Sequence, residues 1–463
     1  MSKNLKEIFV LLLTLLICGG ISGAIFLWFG KDKGSITSNG VLTSSNQSFD
    51  LAARSSEGEK LLITAETNPD KDAAISAIAK KDYPAAIAKF KASLSKQPND
   101  PEALIYLNNA EIGDAKSIKV AVSIPISSNL NVAKEVLRGI AQSQTEENTQ
   151  GEIPIKVVIV NDDNNDDIGI KVAQSLVQDP SILAVIGHKS SEVSIAAAPI
   201  YQAGGLVMIS STSTAKELSG IGNYIFRTVP SIRFQADTLS QYSVKKLNKK
   251  NIGICANSKA RASQSLKEEF TAAVFSDGAK ISRVNCDVSS LDFNADRVIT
   301  EMLSDRVDTL LLSPGIEKIE KGIEVAVIAR NRLLLLGDST LNTFRTLQLG
   351  QSAVEGMVLT VPWDPNFVTG NAFASNALKR WGGDVNWRTA TSYDAMKAAI
   401  NGLRKNRSRQ GLQQVLSSPD FNLDGAAGKI IFQPSGDRAN ASILIKINKG
   451  ALSGVGYDFV PIR

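Results

Sequence analysis

Histidine is almost absent from this chain. His188 is the only one in 463 residues, and there are three cysteines. A metal site of the Cys/His kind cannot be assembled from so few ligands, so no metal and no cofactor is expected. Aromatic residues make up 6% of the sequence, and the formal charge of +5 is spread over scattered lysines. Without a basic patch interleaved with aromatics, a nucleic-acid footprint is excluded. No GxSxG turn is present, and no nucleophile, base and orienter set forms around His188, so the chain is not expected to be an enzyme and His188 reads as a turn or capping residue. The acidic run Asn161–Asp167 lacks the ordered spacing of a calcium loop and reads as a solvated loop.

What is present describes a folded protein. Hydrophobic residues are 43% and charged residues 21%, the proportions of a globular chain and not of a disordered one. The length leaves room for two or three domains. Residues 1–7 read as a cytoplasmic tail, and Ile8 to Trp28 form an apolar run without a charge. About 20 such residues suffice to cross a bilayer as a helix. The run continues through Ile25 to Trp28, past the small residues a signal peptidase would need. It is therefore expected to stay as an anchor in the cytoplasmic membrane, with the bulk of the chain extracytoplasmic. Residues 29–68 are rich in Ser, Thr, Gly and Asn and read as a flexible linker.

A helical island follows over 69–114. Asp82, Tyr83, Ala86, Phe90, Leu94 and Pro98 sit where a tetratricopeptide repeat wants them, although only about one and a half units are present. Such repeats need neighbours to bury their faces. The island must then dock on the next domain, on a second copy of the chain, or on a partner protein.

From Ser117 short apolar strands alternate with amphipathic helices, and the pattern restarts at Asn251. This predicts an α/β architecture of two lobes, each a parallel sheet with helices on both faces. The lobes are placed at about 117–229 plus 364–420, and about 232–361 plus part of the C-terminus, with crossovers near 227–231 and 361–365. A strand pair is expected around 428–436 and 441–448. Cys255 and Cys286 end putative strands, and the sequence leaves open a disulfide or two buried thiols.

Two apolar runs, Leu183 to Ile186 and Leu206 to Ile209, each lead into small hydroxyl residues: Ser190 and Ser191 after the first, Thr212, Ser213 and Thr214 after the second. In open α/β sheets ligands bind beyond the carboxyl ends of the strands. Hydroxyls and free N–H groups at a helix start suit a carboxylate. These are the candidate ligand-binding residues of the first lobe.

Residues from about 116 to 459 resemble a type I periplasmic solute-binding protein of ABC importers, the leucine/isoleucine/valine-binding kind. The resemblance is carried by VIGHKSS at 185–191, VMISSTSTAKEL at 207–218, FRTVPS at 226–231, LLGDSTLN at 335–342, TSYDAMKAAINGL at 391–403 and DGAAGKIIFQPSGDR at 424–438. It implies a small-molecule ligand, an amino acid or a relative of one, held by hinge closure and delivered to ABC permease subunits. It further implies that Ser191 takes the carboxylate, that Thr212, Ser213 and Thr214 support both ends of the zwitterion, and that Asp338, with Ser339 beside it, meets the ammonium. The family grips aliphatic side chains with tyrosines, whose places here fall near Val132, Ala262 and Gly315, none of them aromatic. A wider or more polar pocket is expected, with Lys259 or Arg261 reaching in. The alternative is a membrane-anchored sensor or scaffold in which residues 69–114 recruit a protein partner or self-associate.

Overall fold

The computed structural model describes residues 49–150, 154–367, 372–439 and 441–462. The apolar run 8–28 and its proposed anchor lie outside these residues. Among the described residues no helix is long and apolar enough to cross a membrane.

The first helix, α1 (Leu51–Arg54), leads into β1 (Ser55–Ser56), which pairs antiparallel with β3 (Ile155–Asn161). The stretch from 50 to 68 is therefore docked, not a free linker. Ile63 is buried, and the Leu62 and Ile63 N–H groups donate to Glu102 Oε1 at 2.8 and 3.1 Å. Polar composition concealed this, because the contacts come from a helix some 40 residues away.

Three helices follow: α2 (Pro69–Ala79), α3 (Tyr83–Lys96) and α4 (Pro101–Ile112), each with Pro in its first turn and an Asn or Asp side chain capping it. Helix α4 is buried from Pro101 to Ala110, sandwiched between α3 and α5 (Leu130–Gln150). Its Asn109 completes the edge of β3: the amide donates to the Val157 carbonyl at 2.8 Å and accepts the Val157 N–H at 3.0 Å. Beneath it Lys71, fully buried, pairs with Asp100 at 2.7 Å and Glu102 at 2.9 Å. Of the docking partners open to the island, the next domain is the one in place.

The first sheet runs β1-β3-β2-β4-β5-β6-β15, with β2 (Ile118–Ile124), β4 (Ile182–Ile186), β5 (Val207–Ser210), β6 (Ile225–Pro230) and β15 (Asp437–Arg438) all parallel to β3. Helices α6 (Asp166–Gln178) and α7 (Ser191–Ala203) connect β3 to β4 and β4 to β5. Helix α8 (Ile232–Ser240) then begins the second lobe. Its sheet runs through β7 (Asn251–Ala256), β10 (Thr309–Ser313), β11 (Leu334–Gly337) and β12 (Val358–Val361) in parallel, with short β8 (Lys280–Ile281) and β9 (Cys286–Asp287) beside β7. Helices α9 (Arg261–Ser276), α10 (Ala295–Ser304), α11 (Ile319–Ala329) and α12 (Phe344–Gly350) cover it. Cys255 and Cys286 are bridged by a disulfide, their Cα atoms 4.6 Å apart on paired strands.

The chain returns to the first lobe with α13 (Phe373–Trp381), α14 (Trp387–Lys405), α15 (Arg409–Leu416) and a hairpin of β13 (Leu423–Gly425) and β14 (Gly428–Ile430). Helix α14 lies against α5 at Gly139, where an added Cβ would sit 2.2 Å from the Thr389 carbonyl. After β15, β16 (Ile443–Lys449) and β17 (Tyr457–Pro461) join the second sheet antiparallel, β16 beside β12. Neither sheet is therefore purely parallel, and the expected pairing of 428–436 with 441–448 does not form. The two stretches serve different lobes, separated by a third crossover between Arg438 and Ile443. Residues 421–438 stay with the first lobe, β13 and β14 as a separate hairpin and β15 at the edge of the first sheet.

Two fully buried ion pairs lock this return. Arg438 reaches Asp394 on α14 at 2.6 Å and the Thr228 carbonyl at 3.0 Å. Arg227, at the crossover, pairs with Asp437 and donates to the Ala215 carbonyl at 2.7 Å.

Candidate functional site

A cleft of about 610 Å³ opens between the lobes, beyond the carboxyl ends of their parallel strands. From the first lobe Ser190, Ser191, Thr212 and Thr214 line it; from the second come Asp338 and Ser339. Ser213 is not in the lining. It faces inward, its Oγ 2.8 Å from Ser194 Oγ, and it donates to the His188 and Lys189 carbonyls.

The hydroxyl clusters first hold each other. Ser194, Ser210 and Ser213 converge on the His188 carbonyl at 3.0–3.2 Å. Thr212 donates to the Lys189 carbonyl at 2.7 Å, and Ser191 Oγ accepts the Ala215 N–H at 3.2 Å. Ser190 caps α7, accepting from the Val193 N–H. The ends of β4 and β5 are thus tied into one polar floor at the start of a helix, which favours an anion. Thr214 Oγ1 makes no hydrogen bond within the described residues.

His188 is wholly buried under this floor. Its Nδ1 lies 2.7 Å from Asp162 Oδ2 and 3.0 Å from Ser123 Oγ, and its Nε2 lies 3.1 Å from Tyr201 Oη. Asp162 therefore belongs to the interior, not to a solvated loop. Its neighbour Asp163 accepts from Arg54, while Asp166 and Asp167 stand at the cleft's exposed rim. Among the described residues no cluster of His, Cys, Asp or Glu could hold a metal ion.

On the second lobe Asp338 caps the turn after β11. Its carboxylate accepts from Ser313 Oγ at 2.6 Å and from the N–H and hydroxyl of Thr340. Burial pushes its pKa up, against those hydrogen bonds. Ser339 is bound through its backbone: its carbonyl accepts the Trp387 indole N–H at 3.1 Å.

Of the three places for pocket aromatics, Ala262 and Gly315 line the cleft, whereas Val132 is buried in α5 away from it. Lys259 lines the mouth; Arg261 is not in the lining, and its N–H donates to Glu192 Oε1. Among the cleft residues that sequence reasoning missed, three carry charge or an aromatic ring into its interior. Trp387 and Arg388 arrive on the first turn of α14, and Lys189 precedes the Ser190 cap. Lys189 stood in the quoted motif, but nothing local distinguished a cleft lysine from a solvated one. Trp387 and Arg388 lie some 200 residues downstream and become visible only through the packing of α14. Burial, with the Arg388 charge adding, brings the Lys189 ammonium down to about 8. Burial likewise brings Arg388 down to about 10, partly offset by Glu135 and Asp338.

Two βα lobes, three crossovers and a polar cleft between facing strand ends define a two-lobed solute-binding fold. A sequence model of the periplasmic binding protein family matches residues 117–451. The chain belongs to that family and is one of its solute-binding proteins. It is 26% identical over 313 residues to the Leu/Ile/Val-binding protein of Citrobacter freundii, covering 64% of this chain and 83% of that one. The leucine-binding protein of Thermotoga maritima shares the fold with a TM-score of 0.65 at 19% identity, over 74% of this chain and 97% of that one. A branched-chain amino-acid substrate-binding protein of Streptococcus pneumoniae, in complex with isoleucine, does so with a TM-score of 0.63 at 17% identity, over 75% and 100%.

Proposed function

We propose that this protein is the extracytoplasmic receptor of an ABC-type importer, capturing an amino acid or close relative by closure of its lobes and held at the membrane by residues 8–28. The observation that carries this reading is the cleft itself, with its anion-favouring floor of Ser191, Thr212 and Thr214 on one lobe and the buried Asp338 carboxylate on the other. A zwitterion needs donors at one end and a negative acceptor at the other, and charge-assisted hydrogen bonds are the strong ones. Closure would turn on the three crossovers, as in hinged binding proteins generally. The sensor alternative would have to use the exposed faces of α2 and α3, since α4 is taken up by α3, α5 and β3. The lining offers a ligand side chain Trp387, Ala260, Ala262 and Ile316 as its apolar contacts, so leucine and valine are expected to be held weakly.

The test is a thermal-shift screen of the full chain against the common amino acids. A ligand at about 100 times its dissociation constant stabilises a fold by about 2.7 kcal/mol. Silence across the whole set, from folded protein, would refute the amino-acid reading.

A further inference from the structure

Among the described residues the buried cations follow one pattern with one exception. Lys71 faces Asp100 and Glu102, Arg227 faces Asp437, and Arg438 faces Asp394. Removing charge from water is costly unless it is paired, so these pairings are what a stable interior requires. Arg388 breaks the pattern, and half-buried Lys189 is likewise unpaired; both line the cleft. Among the described residues neither has a carboxylate within ion-pair distance. Arg388 is 3% exposed. Its guanidinium lies 4.4 Å from the Trp387 ring centroid, and its one hydrogen bond is to the Asn342 carbonyl at 3.4 Å. Most of its five N–H donors are left without a protein acceptor.

We propose that the solute carries a second acidic group, received by Lys189 and Arg388, so that the ligand class is an amino-dicarboxylate and not an aliphatic amino acid. This rests on the amino-acid reading of the same cleft. Asp338 on the facing lobe is held by hydroxyl and N–H donors and by neither cation, and a second carboxylate on the ligand would give Arg388 and Lys189 the anion they lack. The acids nearest Lys189 are engaged elsewhere: Glu192 accepts the Arg261 N–H at 2.6 Å, and Glu317, exposed at the rim, accepts from Asn164 at 3.0 Å. A guanidinium over an indole, with most of its N–H donors unused, can still take a carboxylate in two parallel hydrogen bonds. The lowered pKa of Lys189 agrees: desolvation is its main cause and the Arg388 charge adds to it, with no paired carboxylate to offset them.

The experiment is calorimetric titration of the full chain at pH 7 with L-glutamate, L-aspartate, L-glutamine and L-leucine. At least one acidic amino acid is expected to bind tenfold or more tightly than L-glutamine, the scale of a lost charged hydrogen bond. Lys189→Gln and Arg388→Gln should each bring the glutamate-to-glutamine ratio toward one, with L-glutamate losing more affinity than L-glutamine. Glutamine or leucine binding more tightly than both acids overturns the proposal and leaves the amino-acid reading standing. No binding by any of the four overturns the proposal, and the amino-acid reading falls with it only if the screen of all common amino acids is silent too. Undiminished discrimination in Lys189→Gln, a partly solvent-facing position whose variant should fold, overturns the assignment of the second group to this pair.

Discussion

Thr214 and Ser213 are adjacent, chemically alike and expected from sequence to serve the same ligand, yet the fold gives them opposite tasks. Thr214 Oγ1 has no protein partner and stands in the cleft lining. Ser213 Oγ is turned away, donating to the His188 and Lys189 carbonyls at 3.2 and 3.3 Å. Thr214→Val keeps the side chain's shape and removes only the hydroxyl. A lost hydrogen bond to a charged carboxylate costs about 1.5–3 kcal/mol, so affinity should fall roughly 10- to 150-fold. Stability should stay within about 0.5 kcal/mol, because no protein contact is lost. Ser213→Ala strips buried carbonyls of a donor and should cost about 1–3 kcal/mol of stability. The assays are calorimetry with L-leucine and L-glutamate, which present the same α-carboxylate, and urea denaturation of each full-length variant. Wild-type affinity in Thr214→Val, or a Ser213→Ala variant that binds poorly without losing stability, would refute this division.

Two further outcomes follow from charge. Lys71→Ala leaves Asp100 and Glu102 buried without their cation, and unfolding in urea should show a loss of about 3–5 kcal/mol. Burial pulls the Lys71 pKa down, but Glu102 and Asp100 outweigh it and hold it above 10.5; the stabilisation is thus complete at neutral pH and lost only as pH rises through the raised value. Lys189 works in the other direction, its ammonium titrating at about 8 instead of 10.5. Affinity for L-glutamate should fall by up to tenfold per pH unit above 8, with L-glutamine as the control for the ligand's own amine. Over the same interval the empty protein should gain stability, since the unfolded chain then binds the more protons; an equal decline for both ligands would sink this.

The alternation of short apolar runs with amphipathic helices made the two lobes legible, because a parallel strand is buried on both faces and says so in its own residues. The sheet edges were not legible. Ser55 and Ser56 carry no strand signature; they pair because β3 has an open edge, and Asn109 continues that edge from a helix. The hydroxyl clusters were visible as clusters, but which hydroxyl faces a ligand depends on where the His188 carbonyl points. Asp162 looked like the start of a solvated loop because its partners, Ser123 and His188, come from two other strand ends. Cys255 and Cys286 could be joined only once β7 and β9 were seen side by side. Each miss concerns a residue whose role is set by a partner distant in sequence.

The contacts that hold the lobes together differ in kind from those that hold each lobe. Within the first lobe the Arg227–Asp437 and Arg438–Asp394 pairs are buried, and breaking such a pair is expensive. Across the mouth of the cleft the contacts are exposed or half-exposed: Lys216 with Glu268, Ser265 with Glu217 at 2.9 Å, Arg261 N–H with Glu192, and Asn164 with Glu317. Exposed ion pairs contribute about 0–1 kcal/mol each, and water replaces most of what they offer when the mouth opens. These rim contacts therefore bias closure only slightly, while the Trp387 indole N–H on the Ser339 carbonyl is a buried tie between the lobes. A ligand can shift an open–closed equilibrium by no more than its differential affinity for the two states. On the proposed reading that difference would lie in the floor at Ser191 and Thr214 on one lobe and Asp338 on the other. A solute engaging one lobe alone would then bind without closing it, and weak rim contacts would make closure a report on which solute has arrived.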